Sequence, residues 1–353
     1  MINRITIRDV AEKAGVSIST VHQALNGKKG VGDETRSRIQ EVAASLGYQP
    51  NPMASNLKRK AKRIAVIFPR SAYYKTVWSG ARDYLDASAN LNLECIEMPY
   101  SDGERQGAFR DEFFAGLDQQ HIDGILITGH SDVFSRADWQ SIESRGIAVT
   151  LLGADLPMSH RIFCVLPDYE IIGRTMAELL LSRIPPFGSI ALCAGNPKWE
   201  PHAKVVQGFD AYLEQEQATN RVYRNYSWDG QEDSLIDMIR MISQPDVAAC
   251  CSVLSQSSVL LGRALQETGK AGKVFAVGSD LSPENITFLQ SGVFNNLIEK
   301  NPYAQGYLGA KSLVEYLALG RHPETDKVFV GSEVVFRSNV TMYQTRKFRS
   351  LLP

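Results

Sequence analysis

Cysteine is scarce in this 353-residue chain: five residues, at positions 95, 164, 193, 250 and 251. The number is odd, and no Cys-x-x-Cys pair occurs. A disulfide framework and a thiolate zinc site are therefore both unsupported, and reduced, buried thiols are expected. The six histidines are scattered without metal-ligand spacing, so neither a metal nor a cofactor is predicted. No apolar run approaches the ~20 residues that span a bilayer. The opening residues, Met1-Ile2-Asn3-Arg4-Ile5-Thr6, lack the apolar core of a secretory signal. A cytoplasmic location with no membrane partner is the expectation. Catalytic signatures are missing too. Gly269-Lys270 is followed by Ala271 rather than by a phosphate-loop hydroxyl. No Gly-x-Ser-x-Gly, His-Glu-x-x-His or Gly-x-Gly-x-x-Gly occurs, and no carboxylate pair stands out as an acid/base couple. The sequence does not read as an enzyme.

What is present is an uneven charge distribution. The net charge is −1, but residues 1–63 hold twelve Lys or Arg against five Asp or Glu, a local +7. The remainder carries −8. A small basic head on an acidic body is the electrostatic footprint of a nucleic-acid binder. The length calls for two or three domains.

Three short helices are legible in the head. Thr6 is placed to cap a helix running to Ala14, with Ile7, Val10, Ala11 and Ala14 on one face. Gly15 ends it and Val16 plugs the turn. Ser17 caps a second helix through Leu25, with Val21, Ala24 and Leu25 facing inward. Asp33 is read as the cap of a third helix to Leu46, closed by Gly47. Two short helices joined at Gly15-Val16 form a helix-turn-helix. The outward residues of the second, Ile18, Ser19, His22 and Gln23, would enter a major groove.

Those residues resemble the LacI/GalR family of repressors. The resemblance is carried by Thr6-Ile-Arg-Asp-Val-Ala-Glu-Lys-Ala-Gly-Val-Ser17, Thr20-Val21, Leu25-Asn26, Thr35-Arg36 and Leu46-Gly47-Tyr48-Gln49-Pro50-Asn51. Residues 51–60 look like the family's hinge, in which a leucine wedges into the minor groove; Leu57 holds that position here, flanked by Lys58, Arg59 and Lys60. The resemblance implies DNA contacts from Thr6, Ser17, Ile18, Ser19, Thr20, His22, Gln23, Asn26, Asn51, Leu57 and Lys58. One departure is His22-Gln23, where the family usually has Ser-Arg, so base preference should differ there.

From Lys62 the pattern changes to short apolar strands alternating with amphipathic helices, which means parallel sheets covered on both faces. Strands are read over residues 63–68, 93–98, 123–128, 146–152, 188–193, 247–253 and 274–278, with a helix over 78–90. The chain end is strand-like over 332–343. The series resembles a type I periplasmic-binding-protein fold. The resulting fold class is α/β: an all-α helix-turn-helix domain followed by two doubly wound parallel-sheet subdomains. The boundaries are 1–50 for the DNA-binding domain, 51–61 for the hinge, 62–345 for the effector domain and 346–353 for the tail.

Ligands in open α/β sheets lie beyond the carboxyl ends of strands, here between the subdomains. The resemblance offers Tyr73 and Tyr74 as an aromatic platform for a sugar, Asp280 as acceptor of sugar hydroxyls, and Trp228 as an indole against the ligand. Asp168 also matches a family position but reads better as a helix cap. Three departures alter the pocket. Val205 replaces a usual arginine, Leu254-Ser-Gln-Ser-Ser258 replaces an Asn-Asp pair, and Lys300 stands where a neutral polar residue is usual. Lys300, Lys204 or Arg70 would then favour an anionic sugar derivative. The partners implied are a palindromic double-stranded operator, a small carbohydrate-like effector and a second copy of the chain. The other reading is a solute-binding receptor for a sugar transporter, which would need a signal peptide and no basic head.

Overall fold

The computed structural model describes residues 5–25, 30–48, 60–100, 106–129, 134–227 and 232–345. The chain divides between Lys60 and Ala61 into a small helical unit and a large α/β unit.

The small unit holds α1 (Ile7–Ala14), α2 (Ile18–Leu25) and α3 (Asp33–Ser45). Its core is Val10, Ala11, Ala14, Val21, Ala24, Ile39 and Ala43, with Val16, Leu25 and Leu46 packed against it. Short side chains dominate because the helices are short and must approach closely to leave no void. Asp33 is the first helical residue of α3, not its cap; Gly32, in extended conformation, holds the cap position. Asp33 and Glu34 instead place negative charge in the first turn, where it suits the helix dipole.

The large unit runs β1 (Lys62–Pro69), α4 (Ala72–Ala87), β2 (Leu93–Tyr100), α5 (Gln106–Gln120), β3 (Gly124–Thr128), α6 (Arg136–Ser144), β4 (Ala148–Leu152) and β5 (Phe163–Pro167). It continues with α7 (Tyr169–Leu181), β6 (Ser189–Cys193), α8 (Glu200–Gln215), β7 (Val222–Asn225), α9 (Glu232–Ile242), β8 (Val247–Ser252), α10 (Ser255–Glu267) and β9 (Phe275–Ser279). The last elements are α11 (Pro283–Ser291), β10 (Asn296–Glu299), α12 (Pro302–Leu319), β11 (Lys327–Val330), β12 (Glu333–Phe336) and α13 (Val340–Thr345).

Two six-stranded sheets result, ordered β11-β5-β4-β3-β1-β2 and β12-β10-β9-β8-β6-β7. The first is parallel throughout, and the second is parallel except where β10 meets β12. The central strands β3, β4, β5 and β6 are buried along their whole length. This is why they read as unbroken apolar runs rather than alternating ones.

The chain crosses between sheets three times, from β5 into α7, from β10 into α12, and from β11 to β12. Asp168 caps α7, its Oδ1 accepting from the Ile171 amide at 3.1 Å. Each lobe also joins two helices through glycine. An added Cβ on Gly306 would lie 1.7 Å from the Val77 carbonyl oxygen, and one on Gly173 would lie 1.9 Å from that of Val205. Only a residue without a side chain lets α4 meet α12, and α7 meet α8, this closely.

Several expectations change. Helix α4 starts at Ala72, six residues before the predicted start, because the Ser71 hydroxyl accepts from the Tyr74 amide at 3.3 Å. The strand-like stretch 332–343 splits into β12 and α13. Cys164, Cys193, Cys250 and Cys251 are buried free thiols, but Cys95 is exposed on β2, at the edge of the first sheet. Burial pushes the Cys193 thiol up to about 12, and Cys250 and Cys251 well above the ordinary range, which disfavours the reactive thiolate.

Candidate DNA interface and effector site

The head is built around a fixed turn. Gly15 takes a left-handed conformation (φ 64°). Its amide donates to the Glu12 carbonyl at 3.2 Å, while the Val16 amide donates to that of Ala11 at 3.1 Å. This closes α1 and satisfies carbonyls that a helix end leaves open. At the start of α1 the Asp9 carboxylate accepts from the Thr6 amide at 2.6 Å and the Thr6 hydroxyl at 2.7 Å. Those bonds hold the Asp9 pKa below its ordinary value. Ser17 opens α2 by accepting from the Thr20 amide at 3.1 Å, and the two hydroxyls meet at 2.8 Å.

With Val21 and Ala24 buried, the other face of α2 is left outward. Thr6, Ser17, Ile18 and Ser19 are exposed, and Thr20, His22 and Gln23 are partly so. Ile18, an apolar residue, is 44% exposed. Three of the basic residues counted over 1–63 are used internally: in β1 Lys62 pairs with Asp123 at 2.5 Å and Arg63 with Glu94 at 2.6 Å, and in the head Arg36 is engaged as well. Arg36 donates to the carbonyls of Ala24 at 2.9 Å and Val31 at 3.4 Å, closing the end of α2. Asn26, Asn51, Leu57 and Lys58 lie outside the described residues.

In the large unit, polar side chains converge at the crossing segments. Asp280 follows β9 in a left-handed conformation (φ 66°), unusual for a residue other than glycine, and is 5% exposed. Its Oδ2 accepts from the Lys300 ammonium at 3.1 Å and from the Ser279 hydroxyl at 3.4 Å. Its Oδ1 is buried without a hydrogen-bond partner. Burial raises the Asp280 pKa, opposed by Lys300, Ser279 and the backbone of Ser255. Lys300 follows β10 and also donates to the Val253 carbonyl at 3.0 Å. Gln305, in the first turns of α12, donates to the Lys300 carbonyl at 2.8 Å and the Tyr73 hydroxyl at 2.9 Å. Tyr73 and Asp280 are close enough for the carboxylate to help burial raise the tyrosine pKa.

Tyr73, Asp280 and Lys300 are thus brought together, and Tyr74 sits beside them. The two tyrosines meet edge to face, centroids 5.2 Å apart and planes at 89°, so they do not form one flat platform. Trp228 lies outside the described residues.

Lys300 corrects the expectation of a free cation. It is 5% exposed and paired with Asp280, because two charges buried together are far less costly than one. Lys204 is also paired, with Glu170 at 3.1 Å, while Arg70 is exposed. The other departures are explained by packing. Val205 is buried where α7 meets α8. In the stretch after β8, Ser258 accepts from the Ser279 amide at 2.8 Å and donates to the Leu254 carbonyl at 2.9 Å, bracing β9.

Two site residues carry no isolated signal in the sequence. Gln305 is the link between Tyr73 and Lys300, and it lies inside the motif Asn301-Pro-Tyr-Ala-Gln-Gly306. Tyr169 begins α7, and its hydroxyl donates to the Gly153 carbonyl at 2.5 Å. Among the described residues no group of His, Cys, Asp and Glu is arranged to hold a metal, and no helix is long and apolar enough to cross a membrane.

Comparison with known proteins agrees with this layout. A family model of periplasmic binding protein domains matches residues 64–322, and one of bacterial regulatory proteins of the lacI family matches residues 6–51. Catabolite control protein A of Staphylococcus aureus is 33% identical over 212 residues, covering 59% of this chain and 61% of that one. The Staphylococcus epidermidis protein of the same name is 27% identical over 216 residues, covering 60% and 62%. The matched part thus spans about three-fifths of these relatives. Among solved structures, an ABC transporter solute-binding protein of Burkholderia graminis in complex with D-arabinose aligns with TM-score 0.70 at 20% identity, covering 80% of this chain and 98% of that one. A periplasmic solute-binding protein of Actinobacillus succinogenes with bound D-allose aligns with TM-score 0.69 at 16% identity, covering 80% and 100%. These structures share the two-sheet fold. With a helix-turn-helix unit ahead of that fold, the chain belongs to the LacI family of bacterial regulatory proteins.

Proposed function

We propose that the protein is a cytoplasmic, homodimeric repressor that binds a palindromic operator and is controlled by a small carbohydrate-like effector. The observation that carries this is the outward face of α2. Ser17, Ile18, Ser19, Thr20, His22 and Gln23 stand on a helix whose opposite face is fully used in the core. Side chains so placed, at the start of a recognition helix, reach base edges in a major groove. The net positive charge of residues 1–60, ten Lys or Arg against five Asp or Glu, supplies phosphate contacts, while Lys62 and Arg63 are paired in β1. Two heads are needed because one short helix makes few contacts, and a pair reads two half-sites. In the large unit, the buried acceptor on Asp280 supports a hydroxyl-bearing effector. The proposed boundaries follow: a DNA-binding head over 1–50, a hinge over 51–61 with Leu57 as the minor-groove wedge, and an effector domain over 62–345.

The test is selection of duplexes from a random pool by the full chain, followed by titration of the selected site with sugars. An inverted repeat whose affinity drops about 10³–10⁵-fold between 50 and 200 mM salt is expected, as for ~6–10 phosphate contacts. Recovery of no preferred sequence, with sugar binding retained, would point to a solute receptor instead.

A further inference from the structure

The second helix of the head is held at its far end by a residue of the third. Helix α2 spans only Ile18–Leu25, and its buried residues are Val21 and Ala24. A helix this short is not stable by itself, and its last carbonyls have no donor within the helix. Arg36, in the first turn of α3, supplies one. Its Nη1 donates to the Ala24 carbonyl at 2.9 Å, and its Nη2 makes a longer bond, 3.4 Å, to the Val31 carbonyl. The Arg36 amide donates to the Gly32 carbonyl at 2.9 Å, which fixes the base of the side chain to the start of α3. One planar fork therefore ties the end of α2 to the entry of α3, and its charge lies at the negative end of the α2 dipole. A lysine has a single compact ammonium and lacks that fork.

Both tie points flank Gln23. Ala24 follows it in α2. Val31 follows Gly30, which stands at φ 105°, and a Cβ added to Gly30 would lie 3.7 Å from Gln23 Oε1. The Gln23 amide thus rests beside the backbone that Arg36 holds. The Arg36 side chain is part-buried, and its Nη groups are turned to backbone carbonyls within the head instead of outward to a phosphate. We infer that Arg36 is a positioning residue for base readout: it fixes the orientation of Gln23 and makes no phosphate contact, although it belongs to the basic head. This rests on the operator-binding reading above.

The experiment uses the full chain, the duplex that wild type selects and a random duplex of equal length. Dissociation constants are measured between 50 and 200 mM salt for wild type, Arg36→Gln, Arg36→Lys, Gln23→Ala and the double variant Arg36→Gln with Gln23→Ala. In Arg36→Gln, affinity for the selected duplex should fall about tenfold, the size of one misplaced base contact, with random-duplex affinity and salt slope kept. A phosphate ligand behaves differently: both duplexes weaken together, and the slope drops by about 0.9 for each head. That result overturns the inference, and so does unchanged affinity for both duplexes. Arg36→Lys keeps the cation and loses the fork, so a loss of about tenfold on the selected duplex is expected again. Wild-type behaviour of Arg36→Lys would show that the charge alone suffices and overturns the inference. Action through Gln23 is read from the double variant, which should bind the selected duplex within about twofold of Gln23→Ala. Losses that multiply in the double variant overturn it. Circular dichroism reports the folding of each variant. If Arg36→Gln fails to fold, Arg36→Lys alone and combined with Gln23→Ala gives the same answer. A wild type that selects no duplex brings down the operator-binding reading and the inference with it, whereas any other contrary result leaves that reading standing.

Discussion

The Tyr169 hydroxyl, at the start of α7, donates to the carbonyl of Gly153 at the end of β4, joining an element of one lobe to the rim of the other. Burial holds the tyrosine pKa well above its ordinary value, which favours the protonated hydroxyl that donates this bond. Tyr169→Phe keeps the ring and removes only this bond. A loss of about 1 kcal/mol is expected, lowering Tm by roughly 2 °C in a domain of this size. If the bond holds the lobes together, the radius of gyration from solution scattering should also rise. An unchanged Tm and radius would show that ring packing alone positions α7.

The helix pairs give a sharper stability test. Gly306→Ala and Gly173→Ala each drive a methyl group into a backbone carbonyl, 1.7 Å from Val77 O and 1.9 Å from Val205 O. Neither backbone can yield without separating two packed helices, so a loss of at least ~3 kcal/mol is expected for each. Gly107 in α5 meets nothing within 4 Å, and Gly107→Ala should stabilise by ~0.5–1 kcal/mol. Urea unfolding of the three variants checks both signs. A tolerated Gly306→Ala would mean that α4 and α12 do not pack this closely.

These contrasts bear on what a sequence can reveal. Local signals are legible where one residue does one job: Gly15 as a left-handed helix end, Ser17 as a cap, Asp168 as a cap. Strands buried on both faces are visible as apolar runs. The four-residue strands β7, β10 and β11 are not, since Val222–Asn225 and Asn296–Glu299 carry polar residues and are too short for a pattern. In the site, Tyr73 and Asp280 are legible through resemblance. The pairing of Lys300 with Asp280 is not, because it joins the ends of adjacent strands β9 and β10, twenty residues apart in sequence. Charge type is written in the sequence, whereas charge compensation depends on the fold.

Glu299 provides a pH test. It is buried, its Oε2 lacks a hydrogen-bond partner, and its pKa is pushed from 4.5 to about 8, first by burial, then by Asp280 and against Lys300. Between those values the folded protein holds a proton that the unfolded chain releases. This contribution to stability is complete below pH 4.5 and is lost as pH rises toward about 8. Glu299→Gln removes that dependence. Wild type and variant should be nearly alike at pH 4.5, with the variant more stable by on the order of 5 kcal/mol at pH 9. Urea midpoints across that pH range measure the difference. A gap that does not widen with pH would show that Glu299 is ionised in the folded protein.

Base preference is the last consequence. Gln23 stands partly exposed on the outward face of α2, one turn beyond Ser19 and next to partly exposed His22. The residue usual at this place in related repressors is arginine, which pairs with guanine through O6 and N7. Glutamine presents one donor and one acceptor, which suit adenine N6 and N7 together. Wild type should therefore select adenine at one position of each half-site, with ~1–3 kcal/mol of discrimination against other bases. Gln23→Arg should move that position toward guanine and leave the rest of the half-site unchanged, since α2 keeps its cap at Ser17 and its buried face of Val21 and Ala24. It should also steepen the salt dependence slightly, through the added charge. Parallel selections with the two proteins decide the matter. Identical half-sites would place Gln23 against the phosphate backbone rather than a base, and a change at several positions would mean that α2 docks in a different register.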